Sequence, residues 1–268
     1  RGFAIGTQIN PTYPIMSPGQ LSWTDNGSAP GTFTSTYSTG LQANTTYYVR
    51  AYASDHNGNV WYGGNVTFTL LSAPITDIDG NTYNTIQIGS QTWMKENLKT
   101  TKYRDGTSIT YISSNSSWQN TTSGAYCNYD NNSSNANIYG RLYNWYAVNN
   151  NKKICPNGWH IPTDADWNIL INYLGGENVA GGKMKEAGTV HWQTNVGGTN
   201  SSGFTALPSG YRLISGSYDG INSTTYFWSS TLSYANAVKT KKLYSSGIKV
   251  ISDDVAYNWG SPCRCVKD

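Results

Sequence analysis

The longest helical pattern in this chain is a single short one, and that limits what the chain can build. In "IPTDADWNILINYLGG", Thr163 is placed to cap a helix and Asp166 stands three residues on as its capping-box partner. Asp164 and Asp166 also put negative charge in the first turn, where the helix dipole favours it. Trp167, Leu170, Ile171 and Leu174 then share one apolar stripe, which Gly175 and Gly176 end. A second short helix is expected in "AGGKMKEAG", residues 180–188. Most of the remainder alternates apolar and polar residues in short runs broken by Gly and Asn. A few short helices among many strands read as α+β.

Composition narrows the setting. Charged residues make up 12% of the chain, against 21 Tyr, 10 Trp and 28 Gly. Polarity therefore comes from Asn, Ser and Thr, as in extracellular β-rich proteins. The net charge of +3 is too small for a nucleic-acid binder. The one lysine cluster, Lys239, Lys241 and Lys242 in "VKTKKLY", reads as a solvated strand face. No apolar run is long enough to span a membrane. Arg1 is not a natural start, so the lack of a signal peptide says little. Four cysteines in a secreted-type chain suggest two disulfides, with three possible pairings.

Residues 1–72 read as all-β, with strands near 31–38, 45–54 and 60–70. In "LQANTTYYVRAYA", Tyr47, Val49 and Ala51 share one face and Tyr48, Arg50 and Tyr52 the other. This stretch resembles a fibronectin type III-like sandwich, and the resemblance makes Tyr47 the tyrosine-corner residue. "RGFAIGT" looks like a mid-domain strand, so the first strands of the sandwich are expected to be missing. Either the chain is trimmed or another molecule supplies them by β-augmentation. Pro74 breaks the last strand, and a second unit, 75–268, opens with a meander. Asp79-Gly80 and Gly89-Ser90 are its turns. Asp77 and Asp79 read as turn formers, because the further ligands of a calcium loop are absent.

The second unit carries "DIDGNTYNTIQIGSQTWMKENLKTTKYRDGT", "GAYCNYDNN", "YGRLYNWYAV", "CPNGWHIPTDADW", "SSGFTALPSGYR", "YFWSS" and "CRCVKD" in that order. In this it resembles the Fibrobacter succinogenes major paralogous domain, a family of secreted bacterial modules. The resemblance implies an α+β fold of the C-type lectin-like and formylglycine-generating-enzyme-like kind, preceded here by the partial fibronectin type III-like sandwich. It also marks Cys265 as the usual cysteine of the last motif and Cys263 as an extra one. The expected pairings are then Cys155 with Cys265 and Cys127 with Cys263. Trp159 and Trp167 read as core residues and His160 as structural, since no zinc spacing surrounds it. Tyr139, Tyr143, Trp145 and Tyr146 read as core and rim aromatics more than as a sugar-stacking platform. The Glu-Pro-Asn and Gln-Pro-Asp triplets of calcium-dependent lectins do not occur, so lectin activity does not follow from the fold.

No catalytic motif is visible, and Glu96, Glu177 and Glu186, the only glutamates, lie in no paired arrangement. The enzymatic alternative is a copper-bound cysteine oxidase, with Cys263 and Cys265 as closely spaced thiolates. The preferred expectation is a secreted or cell-surface bacterial binding and adhesion module, non-catalytic, without metal or cofactor. Its partner would be a protein or glycan ligand, with no nucleic acid. A surface of Tyr, Asn, Ser and Asp suits adaptable recognition. Candidate contact residues are Tyr234, Asn236, Lys239, Tyr244, Asp253, Asp254, Tyr257, Asn258 and Trp259. The other alternative is a structural subunit that joins copies of itself in a filament by strand exchange.

Overall fold

The computed structural model describes residues 1–268 except 15, 17, 18, 44, 71 and 72. The chain divides into two compact units, Arg1–Ser72 and Ala73–Asp268.

The N-terminal unit is organised by the strand Thr45–Ser54, whose run of Thr, Tyr and Val favours the extended state. Gly2–Gly6 pairs antiparallel along one side, with Gln20–Trp23 outside it. Val60–Tyr62 and Val66–Leu70 divide the other side between them. The strand expected over 60–70 is thus two, parted where the Gly63 N–H donates to the Ala51 carbonyl at 3.0 Å. Segment 31–38, expected as a strand, forms none; it is largely exposed and offers little beyond Phe33 and Tyr37 to bury. The described residues give one five-stranded sheet, where a sandwich needs two facing layers. Tyr47 is buried, and its hydroxyl accepts the Gln42 N–H at 2.6 Å, five residues upstream. That is the return contact of a tyrosine corner.

The second unit begins with a hairpin, Ile75–Thr76 against Thr82–Tyr83. Asp77 holds its turn: Oδ1 accepts the N–H groups of Asp79 and Asn81, each at 3.0 Å, and Oδ2 accepts the Tyr83 hydroxyl at 2.6 Å. Asp79 is engaged by Thr100, Thr101 and Lys102. Thr85–Ile88 and Gln91–Met94 then pair across Gly89-Ser90. The terminal strand Val266–Lys267 lies between Gln91–Met94 and Trp159–His160, which brings the end of the unit beside its start. The Cys155–Cys265 disulfide staples this junction.

The second expected disulfide does not form. Cys127 and Cys263 are free thiols, both fully buried, in different apolar clusters. Cys127 packs with Trp118, Ala125, Tyr129 and Leu142, beside Arg212 and Tyr218, and burial pushes its thiol up to about 11. Cys263 packs with Leu98, Tyr143 and Trp228, and burial raises its thiol well above the usual range. With Cys265 bonded to Cys155, the closely spaced thiolate pair needed for copper does not exist.

Five α-helices occur among the described residues: α1 (Asn115–Asn120), α2 (Ser133–Tyr139), α3 (Trp145–Val148), α4 (Asp164–Tyr173) and α5 (Glu177–Met184). In α4 the capping box of Thr163 and Asp166 is formed, and Trp167, Leu170 and Ile171 are buried. Helix α5 starts and ends earlier than the 180–188 pattern implied. A Cβ would clash with the 248–249 backbone at Gly181 and with the Gly197 carbonyl at Gly182, so tertiary contact places this helix. A five-stranded sheet, ordered Tyr218–Ile221, Ser209–Arg212, Thr224–Tyr234, Ala237–Tyr244 and Ile251–Ala256, backs α4. No helix among the described residues is long and apolar enough to cross a membrane.

Long connections between these short elements are fixed by buried cations. Arg264 is stacked on Phe204 and donates to the carbonyls of Met94 and Phe204 and to Asn97 Oδ1. Arg212 lies between Trp118 and Tyr218 and donates to the carbonyls of Ile112, Ser113 and Gly216. Lys185 gives its three protons to the carbonyls of Val196, Tyr244 and Gly247. Burial pulls the Lys185 ammonium down to about 8 and the Arg264 guanidinium down to about 9. Each cation satisfies backbone acceptors that loops cannot pair among themselves.

Candidate functional site

Of the contact residues expected from the sequence, some are exposed and others are committed to the fold. Tyr234 is 66% exposed at the end of its strand, and Asn236 makes the following turn with φ of 63°. Lys239 stands opposite Asp254 on the edge strand and pairs with Asp164 at 3.6 Å. Asp253 is exposed on that same edge. The Tyr244 ring lies over Gly247, and Trp259 stacks on Tyr211 with centroids 4.8 Å apart. Asn258 is a strut: its amide donates to the carbonyls of Trp118, Gln119 and Thr121. His160 is also structural, bridging Asp268 at 2.7 Å and Asp166 at 3.2 Å.

Tyr257, by contrast, opens onto a cavity. It belongs to a groove of about 600 Å³, walled by Thr122–Gly124, by Trp145 and Tyr146 of α3, by Asn149–Asn151, and by Leu232. That volume lies within the usual range of ligand sites.

Two asparagines bring the walls together. Asn144 is fully buried; its Oδ1 accepts the N–H groups of Ala125 and Ala147, and its amide donates to the Ser123 carbonyl. One side chain thus caps α3 and fastens it to the Thr122–Gly124 wall. Asn258 does the same for residues 118–121, directly after Tyr257 in the chain. The Trp145 N–H donates to the Tyr257 carbonyl at 2.9 Å, which sets the Tyr257 ring 5.8 Å from Tyr146 at 85°. Trp145 in turn packs on Trp228, with ring centroids 5.9 Å apart.

Among the described residues, the groove is lined by no charged residue, no imidazole and no thiol. Charge is concentrated in a smaller cavity of about 260 Å³ beyond Asn149, with Arg104, Lys153, His160 and Asp268. There Arg104 is spent on the carbonyls of Cys155, Pro156 and Trp159. The larger groove therefore offers stacking faces, amides and hydroxyls, and no acid–base pair.

A family model described as the Fibrobacter succinogenes major domain matches residues 86–267, more than half of the chain. The chain belongs to this family. No curated protein and no solved structure matches it. Every groove residue lies inside the stretch matched to the major domain, whereas the 75–83 hairpin and the N-terminal sheet precede it. Sequence reasoning missed Thr122, Ser123, Asn149, Asn150, Asn151 and Leu232. The available signal was the run "NWYAVNNN", where an aromatic helix passes into three consecutive asparagines.

Proposed function

We propose that this chain is a non-catalytic recognition module acting outside the cytoplasm, and that its major domain binds a surface ligand in the groove at Tyr146 and Tyr257. The supporting observation is the groove itself: an uncharged, aromatic-cornered cleft on a scaffold whose titratable groups are committed to holding loops. A disulfide in the domain agrees with a location outside the cytoplasm. Small sheets carrying long, pinned connections support a lectin-like scaffold, and the Tyr47 contact supports a fibronectin type III-like origin for the N-terminal sheet.

The test uses labelled intact chain on cell-envelope preparations. Leu232 is 52% exposed at the groove, so Leu232→Arg obstructs it without disturbing the core. Binding should fall at least about tenfold, the scale of one well-placed contact. Tyr234→Ala, outside the groove, should leave binding unchanged. Equal binding by all three proteins would sink the proposal.

A second reading, assembly with copies of itself, draws on the N-terminal sheet. Trp61, Val66 and Phe68 are exposed there, at 58%, 67% and 39%. Concentration-dependent oligomers that vanish in Phe68→Lys would favour it.

A further inference from the structure

The ligand class can be narrowed further, on the reading that the groove is the recognition site. We propose that the groove takes an uncharged glycan, with a sugar ring seated in the Tyr146–Tyr257 corner and its hydroxyls met by the Asn149 and Asn151 amides.

The first argument is electrostatic. A charged ligand seated in a groove is best met by a counter-charge, and none lines this one among the described residues. The second is shape. Two phenol rings at 85° offer one face and one edge, which suits a flat body with an apolar C–H face and a polar rim. A sugar ring has that build, and a peptide backbone does not. The third argument concerns hydrogen bonding. A hydroxyl both donates and accepts, and an amide side chain can answer in both senses.

The fourth argument compares asparagines. Asn97, Asn144 and Asn258 are each tied to two or more partners inside the fold. Asn149 and Asn151, together with the hydroxyls of Ser123, Tyr146 and Tyr257, make no side-chain hydrogen bond among the described residues. In a domain that uses its amides so heavily for construction, a cluster of unused ones on one cleft is a wall kept for a ligand.

Affinity electrophoresis of the intact chain through gels containing neutral polysaccharides (glucans, mannans, xylans, galactans) tests this directly. At least one should retard the chain, and retardation should persist in about 0.5 M NaCl, where exposed ion pairs are screened. Tyr257→Ala should weaken it about tenfold or more, and Asn149→Ala with Asn151→Ala by a similar factor. The two asparagines are exposed, so the second variant reports on the groove even if the first misfolds.

Retardation only by anionic polymers, lost in salt, would overturn the uncharged ligand. Retardation that the groove variants leave untouched would place the glycan elsewhere and overturn it too. No retardation by any polysaccharide, with Leu232→Arg still abolishing envelope binding, would exclude a glycan while leaving the recognition reading intact.

Discussion

Two regions of the major domain use the same polar vocabulary in opposite ways. Around Arg264, Arg212 and Lys185, side-chain donors are buried and exhausted, each fastening carbonyls from separate connections. Along the groove, the Asn149 and Asn151 amides, of similar chemistry, are exposed and make no side-chain hydrogen bond among the described residues. The difference lies in what the backbone needs. Where long connections cross the interior their carbonyls must be paired, and a cation with several donors serves several strands of chain at once. At the concave surface of the groove, the Asn149 and Asn151 amides make no such contact among the described residues.

The comparison breaks most visibly at Arg264. Arg264→Met retains apolar bulk beside Phe204 and Phe227 but removes the cation over their rings and leaves the Met94 and Phe204 carbonyls and Asn97 Oδ1 without its donors. The expected cost is about 3–4 kcal/mol, read as a drop of roughly 10 °C in Tm by calorimetry. A drop under about 2 °C would show that the cation is dispensable.

Asp164→Asn should act less strongly and in a pH-dependent way. Asp164 pairs at 2.8 Å with Lys241, whose side chain is 2% exposed, beneath the edge strand. Burial works to raise the Asp164 carboxyl, but the hydrogen bond and charge of Lys241 outweigh it, so the group is held below the usual carboxylate value. Its contribution is therefore present above the unfolded value of about 4 and is lost as pH falls through the lower folded value. The variant should cost about 2 kcal/mol near neutrality. It should also flatten the acid limb of a Tm-against-pH curve, and an unchanged limb would assign that limb to other carboxylates.

The smallest effect sharpens the contrast. Asn151→Ala should leave stability within about 0.5 kcal/mol by urea titration, because its amide supports nothing in the fold. Asn144→Ala, by contrast, would disconnect Ala125, Ala147 and Ser123. If the two asparagines cost the same, the division between building and binding amides is wrong.

What the sequence disclosed follows the same division. Helix α4 was legible because its cap, stripe and stop are all local, from Thr163 to Gly176. The Asp79-Gly80 and Gly89-Ser90 turns were local too. Helix α5 was misplaced because its position depends on Gly181 and Gly182 meeting residues 248–249, far along the chain. Cys127 was misassigned for a related reason: spacing cannot reveal that Arg212 and Tyr218 would become its neighbours. The groove was the least legible part, being walled by segments near 123, 146, 150, 232 and 257 that only Asn144 and Asn258 bring together. Tyr257 entered the expectation only as one of nine residues in a Tyr-, Asn- and Asp-rich segment, and Tyr146 as one of four core and rim aromatics, so nothing local joined the two.

The Cys155–Cys265 bond has a mechanical meaning as well. The 110-residue separation between its cysteines amounts to roughly 380 Å of extended backbone, and none of it can be drawn out by a pull on the flanking chain. Leu232 and Tyr257 lie within that locked span, while Thr122–Gly124 and Asn149–Asn151 lie before it. Tension on this domain would reach one wall of the groove and spare the other, so a ligand held between them would feel the load as a hinge opening from a single side.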